Sequence, residues 1–483
     1  MRPDFDLAVL GGGTAGLTAA VLGTELGASV VLVERERTGG DCLWTGCVPS
    51  KGLIESAGLV HRMRHAEDVG LPPTAPDVDL TAVLSRVRAV QAHLEPHDSP
   101  ERLAGLGVEV VADSARFLAP RRLALAGSAR VLAARAVLVA TGSQPLLPPI
   151  DGLAATEPLT TDTVWDIKAL PERLVVLGGG PVGCELGQAF ARLGSHVTIV
   201  EMAEHLLPTE DPEAGRLIGE RFAVEGITVH TRTPAVAVTR GASGVRLTLR
   251  APTGEVTVEG DEVLVALGRR PRTAGLALDA AGIRTGRDGS VTVDRRMRTN
   301  VRGVYAAGDV TAQLPFTHVA AYQAGVASLN ALLSVRRSVD YRAVPYAVFT
   351  DPEVAHVGLN EPRARARWGT RAVVARHDYR DVDRAVTAAT PYGFAKLVGD
   401  PRGRLVGATV AAPAAGEVIG ELAALVARKA KVGDVFRTVH PYPTFALGAA
   451  MAGAAHLRAR FLTDRTRRVT RPLLSVLRST SRV

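Results

Sequence analysis

Cys42 and Cys47 stand five positions apart in the run Gly39-Gly40-Asp41-Cys42-Leu43-Trp44-Thr45-Gly46-Cys47-Val48-Pro49-Ser50-Lys51, and they are two of only three cysteines in 483 residues. Two thiols this close along a chain can cycle between dithiol and disulfide by thiolate attack. A metal centre would need more thiols or imidazoles at short range, and the next histidine is His61, so no metal ligand set is expected. A secreted scaffold stapled by disulfides would carry more cysteines than this. The pair is therefore read as a redox centre. The third cysteine, Cys184, is read as small, inert core at the start of a helix.

A redox centre needs a source of electrons, and the rest of the chain supplies it. Phe5 to Leu10 reads as a short buried strand. It runs into Gly11-Gly12-Gly13-Thr14-Ala15-Gly16, then a helical pattern to Gly27, then a second apolar strand ending at Glu34. Strand, G-x-G-x-x-G, helix, strand and acid is the pattern of a dinucleotide site. Gly11, Gly13 and Gly16 let backbone N–H groups approach a pyrophosphate at the helix N-terminus, and Glu34 accepts from a ribose hydroxyl. The unit recurs once: Leu174 to Leu177 leads into Gly178, Gly180 and Gly183, with a second strand ending at Glu201. One dinucleotide can then stay bound while another visits. An acid at Glu201, where a cation would be needed to hold a 2′-phosphate, favours NADH over NADPH.

These motifs together resemble the pyridine nucleotide–disulfide oxidoreductases of class I, the flavoprotein family of dihydrolipoamide dehydrogenase, glutathione reductase and mercuric reductase. The likeness extends to Ala140-Thr141-Gly142-Ser143, to Ala266-Leu267-Gly268-Arg269-Arg270-Pro271 and to Gly303-Val304-Tyr305-Ala306-Ala307-Gly308-Asp309, and it covers residues 4 to about 455. It implies an α/β fold with two Rossmann-like domains, one for FAD and one for NAD(P)H, and an α+β C-terminal domain that builds a homodimer. The implied divisions are 1–150 and 273–340 for FAD, 151–272 for NAD(P)H and 341–460 for dimerisation, followed by a basic tail over 461–483. By the same resemblance, Asp309 contacts the ribityl chain, Lys51 pairs with Glu185 beside the flavin, Cys47 is the flavin-side sulfur and Cys42 the exposed interchange thiol. Hydride would pass from NAD(P)H to FAD and on to the disulfide.

One segment departs from the family's dithiol-reducing members. They resemble one another in a His-x-His-Pro-Thr-x-x-Glu run whose second histidine is the base on the partner subunit. Here the run is His440-Pro441-Tyr442-Pro443-Thr444-Phe445-Ala446-Leu447. Tyr442 stands at the base position and Leu447 at the orienting glutamate. A neutral phenol is a poor base at pH 7, so lipoamide and glutathione chemistry are demoted and His440 remains as a substitute base. Tyrosine at this position is similar to mercuric reductase, although the C-terminal cysteine pair of those enzymes is missing. The chain is read as a mercuric reductase-like flavoprotein whose small-molecule acceptor is unnamed, with dihydrolipoamide dehydrogenase or another disulfide reductase as the alternative. A second class is an FAD-bound, redox-responsive binding protein with low turnover.

Length implies more than one core, and so few cysteines suit a reducing, cytoplasmic location. The first apolar stretch follows Asp4 and Asp6 and holds a glycine fingerprint, which marks it as a strand rather than a leader. Residues 456–483 carry eight arginines against Asp464, which is +7 of a net +8. The body is thus nearly neutral. The tail is expected to be a frayed or surface-docked basic helix, with weak contact to an anionic membrane through Leu473, Leu474 and Leu477 as the alternative. No nucleic-acid motif accompanies it.

Overall fold

A computed structural model describes residues 2–480 as two compact units. Of the described residues, the first unit comprises those up to Arg64, Thr74–Glu204 and Phe222–Asp340, and the second His65–Pro73, His205–Arg221 and those from Tyr341 on.

In the first unit, strand β1 (Phe5–Leu10), helix α1 (Thr14–Glu25) and strand β2 (Val30–Glu34) form a β–α–β crossover, with β1 and β2 parallel and Leu7 opposite Val30. Leu7, Ala8 and Val9 are wholly buried. A continuous apolar run of this kind is what a parallel strand covered on both faces requires. The strand Val108–Ala112 lies beyond β2, and Val131–Val139 lies on the other side of β1, where Val304–Ala306 adds to it. Residues 300–306 thus return to the sheet begun by the N-terminus. A second parallel sheet runs in the order Thr228–His230, His196–Val200, Arg173–Leu177, Glu262–Val265, and the helix Pro181–Leu193 crosses between its first two strands in sequence. A three-stranded antiparallel meander over Ala235–Gly260 completes this part.

The second unit is built on a five-stranded antiparallel sheet in the order Pro345–Val348, Glu353–Gly358, Leu405–Ala412, Phe394–Gly399, Val373–Asp378. The helices Ala415–Ala427 and Leu447–Phe461 contribute Val418, Leu422, Ala449 and Ala452 to its core. The architecture is therefore α/β with an α+β C-terminal part. The tail forms the helix Asp464–Thr480, in which no residue is buried. Among the described residues, no helix is long and apolar enough to cross a membrane.

Candidate functional site

The two glycine fingerprints are built alike. Gly11 leaves β1 at φ +104°, and a Cβ there would lie 2.5 Å from the Ala140 carbonyl oxygen; a Cβ on Gly16 would lie 1.8 Å from the Gly11 oxygen. Gly178 and Gly183 repeat both restrictions, at 2.5 and 1.9 Å. Only a bare backbone turns this sharply from strand into helix. Gly13 and Gly180 sit at the N-caps of their helices, and neither helix is capped by a side chain. The first-turn N–H groups are thus offered outward to an anionic group.

The two acids brace these turns. Glu34 accepts from the Gly12 N–H at 2.5 Å and from the Glu36 N–H at 2.8 Å. Glu201, buried, accepts from the Gly179 and Ala203 N–H groups, each at 2.7 Å. Each carboxylate oxygen keeps a further acceptor direction, so both acids can still take a ribose hydroxyl. The residues present fit two dinucleotides.

Around the first fingerprint, side chains from distant segments converge. Arg269 donates from Nε to Ser143 Oγ at 2.7 Å, and Ser143 donates to Asp309 Oδ2 at 2.8 Å. The same guanidinium pairs with Asp41, the residue preceding Cys42, and Arg272 stands 3.6 Å from Asp41 and from Asp162. Burial pushes the Asp41 carboxyl up, and Arg269 and Arg272 oppose that shift. Thr141 donates to the Arg272 carbonyl at 2.7 Å. Gly142, Gly268 and Gly308 all take positive φ at the turns of this network.

Cys42 lies in the short helix α2 (Gly40–Trp44), and Cys47 opens helix α3 (Cys47–Arg64). Both are free thiols, hydrogen-bonded to each other. That bond holds the Cys47 thiol down to about 6, helped by Thr317 and by the Lys51 charge against burial. The same bond, together with burial and the adjacent Cys47 charge, pushes Cys42 above the usual thiol range. A helix N-terminus favours the anion in the same sense. The thiolate therefore belongs to Cys47. Lys51 donates to Glu185 Oε2 at 2.7 Å, joining α3 to the second fingerprint helix. Cys184 is buried, with its Sγ 3.3 Å from the Gly179 carbonyl, as core.

Sequence reasoning did not find Thr317, whose Oγ1 lies 3.2 Å from Cys47 Sγ at the start of the helix Thr317–Leu333. A threonine has no local signature of this role. His318, the neighbouring histidine, stacks on Phe316 instead. Thr317→Val is expected to raise the Cys47 pKa from about 6 toward the usual ~8.5. Since the thiolate is lost as pH falls through that pKa, alkylation of the reduced protein by iodoacetamide at pH 7 should slow. An unchanged pH profile of alkylation would remove Thr317 from the centre.

In the second unit, His440 is closed off. Its Nδ1 lies 2.8 Å from the Thr438 carbonyl and its Nε2 2.9 Å from Glu421 Oε2, with the side chain almost wholly buried. The ring is thus anchored at both ends and turned away from solvent, so it is not presented to a substrate. Tyr442 is exposed and donates to Asp383 Oδ2 at 2.5 Å. Asp383 holds the phenol above its ordinary pKa, which makes it a still weaker acid and leaves its hydrogen committed. Leu447 begins the helix Leu447–Phe461 and packs on the sheet core.

Residues 5–325 match the family model described as pyridine nucleotide-disulphide oxidoreductase. The chain belongs to that family. Residues 344–451 match the family's dimerisation domain. A mercuric reductase of Streptomyces lividans is 39% identical over 93% of this chain and 95% of its own length. A dihydrolipoyl dehydrogenase of Thermus scotoductus is 37% identical over 95% and 99%. Among solved structures, LpdA of Mycobacterium tuberculosis superposes with a TM-score of 0.84 at 33% identity, covering 93% of this chain and 98% of that one. As a pyridine nucleotide–disulphide oxidoreductase, the protein is an FAD-dependent, NAD(P)H-dependent enzyme with a cysteine-pair redox centre. A low-turnover binding role is not favoured.

Proposed function

We propose that this enzyme works as a homodimer, takes electrons from NADH and delivers them through Cys42 and Cys47 to a small acceptor that asks no proton transfer of the protein, a soft metal ion such as Hg(II) first among them. The observation that carries this reading is the fate of the two residues nearest the family's base position. Tyr442 donates its hydrogen bond to Asp383, and His440 is enclosed by Thr438 and Glu421. Oxidising dihydrolipoamide requires thiol protons to be taken up; the Tyr442 phenol is a poor base, and the His440 ring is buried and anchored rather than presented to a substrate. Reducing Hg(II) with NADH yields Hg(0), NAD+ and one proton that comes from the hydride, so no base is needed.

In this reading FAD, when bound, accepts hydride and hands on an electron pair. The chain's own residues do the rest. Gly11, Gly13, Gly16, Glu34, Thr141–Ser143, Gly308 and Asp309 hold the flavin nucleotide, and Gly178, Gly180, Gly183, Glu201 and Gly268 receive the nicotinamide nucleotide. Lys51, fixed by Glu185, stabilises charge beside the Cys47 thiolate. Tyr442 turns its oxygen lone pairs, not its hydrogen, toward an electropositive acceptor. The mercuric reductase of Streptomyces lividans, 39% identical, supports this reading; the dihydrolipoyl dehydrogenase, 37% identical, supports the alternative. Steady-state turnover against Hg(II), quinones, dyes, lipoamide and glutathione disulfide separates them. Lipoamide as the best acceptor would overturn the proposal.

The nucleotide preference rests on Glu201. A 2′-phosphate would face a buried carboxylate already fixed by two amides, and like charges so placed cost several kcal/mol. Flavin reduction followed by stopped flow should therefore saturate at about tenfold or more lower NADH than NADPH. Arg232, whose N–H donates to the Ala203 carbonyl at 2.7 Å and whose guanidinium pairs with Glu204, is the cation on this edge. A clear NADPH preference would reject the role given to Glu201 and point to Arg232.

A further inference from the structure

The helix Asp464–Thr480 lies beyond the residues that match the dimerisation domain, and nothing in the redox chemistry uses it. It carries Arg465, Arg467, Arg468, Arg471 and Arg478 against the single acid Asp464. At 3.6 residues per turn, Val469, Leu473 and Val476 fall within about 60° of one another, and Arg467, Arg471 and Arg478 gather on the opposite side. The apolar three are 69%, 57% and 58% exposed. Leu474, also exposed, falls on the arginine side. A plain solvated helix has no reason to align its aliphatic residues, and a nucleic-acid-binding helix would use the arginines and leave the apolar stripe bare.

We propose that this helix docks the enzyme on an anionic lipid surface, with the Val469–Leu473–Val476 stripe in the headgroup–acyl boundary and the arginines toward lipid phosphates. Charge complementarity selects this occupant. Residues 456–483 carry +7 of the chain's net +8 and this helix carries five arginines against one acid, while the body is nearly neutral, so an anionic partner is drawn to this helix, and a lipid surface takes up both faces at once. Arg468 stands between the two faces and Arg465 borders the apolar stripe, where long side chains reach from an apolar layer up to phosphate.

The test uses the full FAD-loaded chain and sedimentation with unilamellar vesicles. Vesicles of equal parts phosphatidylglycerol and phosphatidylcholine should bind it at about 0.05 M salt and release it near 0.5 M, and pure phosphatidylcholine should bind little. Substituting Arg467→Gln, Arg471→Gln and Arg478→Gln together should weaken partition about 100-fold. Val469→Asp, Leu473→Asp and Val476→Asp together should weaken it at least about tenfold with NADH–dye reductase activity unchanged. No partition onto phosphatidylglycerol vesicles overturns the proposal, as does partition unaffected by either triple variant. A dimer that falls apart in the aspartate variant would also overturn it, assigning the stripe to a second copy of the chain.

Discussion

A Cys47→Ser variant should lose the long-wavelength charge-transfer absorbance expected of the two-electron-reduced parent protein, and should turn over acceptors more than about 10³-fold more slowly. Cys42→Ser should keep the absorbance while losing turnover. The asymmetry follows from where the negative charge resides. Cys47 opens α3, receives a hydrogen bond from Cys42, lies 3.2 Å from the Thr317 hydroxyl and feels Lys51. Cys42 is pushed the other way by the same bond. With Cys47 held near 6, the band should be fully developed at pH 8 and fade as pH falls through about 6, because protonation removes the donor. Anaerobic titration with NADH checks this. A parent protein without the band, or a Cys47→Ser variant that keeps it, would reject the assignment of the thiolate.

The second large effect concerns the position of Tyr442. The unmodified enzyme should oxidise dihydrolipoamide about 10²–10⁴-fold more slowly than an enzyme with a working base there. Tyr442→His together with Leu447→Glu should recover part of that loss. The structure adds a refinement: Asp383, which accepts from the Tyr442 hydroxyl at 2.5 Å, is already placed to orient an imidazole, so Tyr442→His alone should raise dihydrolipoamide turnover. This single substitution also avoids placing a charge at Leu447, which packs on the core of its sheet. His440→Gln should leave turnover of the parent unchanged, since both nitrogens of His440 are engaged. Robust dihydrolipoamide oxidation by the parent, abolished in His440→Gln, would reverse both roles.

Much of this protein was legible without a structure because the informative signals are short. A strand that is buried on both faces reads as an unbroken apolar run, a strand-to-helix turn without room for a Cβ reads as glycine at fixed spacing, and a thiol pair separated by one turn lies in one segment. The fold class, both dinucleotide fingerprints with Glu34 and Glu201, and Cys42 and Cys47 were all of this kind, and the Lys51–Glu185 pair followed from the family likeness. The residues that tune the centre are not. Thr317 reaches Cys47 across 270 positions and Arg269 reaches Asp41 across 228, and a threonine or arginine in isolation carries no mark of its eventual partner. The same holds for His440, which looked like a spare base until Glu421 and Thr438 were seen to occupy both its nitrogens. The tail's composition announced a basic segment, but whether its few aliphatic residues share a face depends on helical phase, and whether that face is covered depends on packing. By itself, then, the sequence determined the α/β architecture, the two cofactor cradles and the redox pair, because each is encoded within a single stretch of chain. Only the tertiary structure decided which sulfur bears the charge, which bases are closed and which helix face stays open, because each of these is a contact or a vacancy between stretches that the chain order does not bring together.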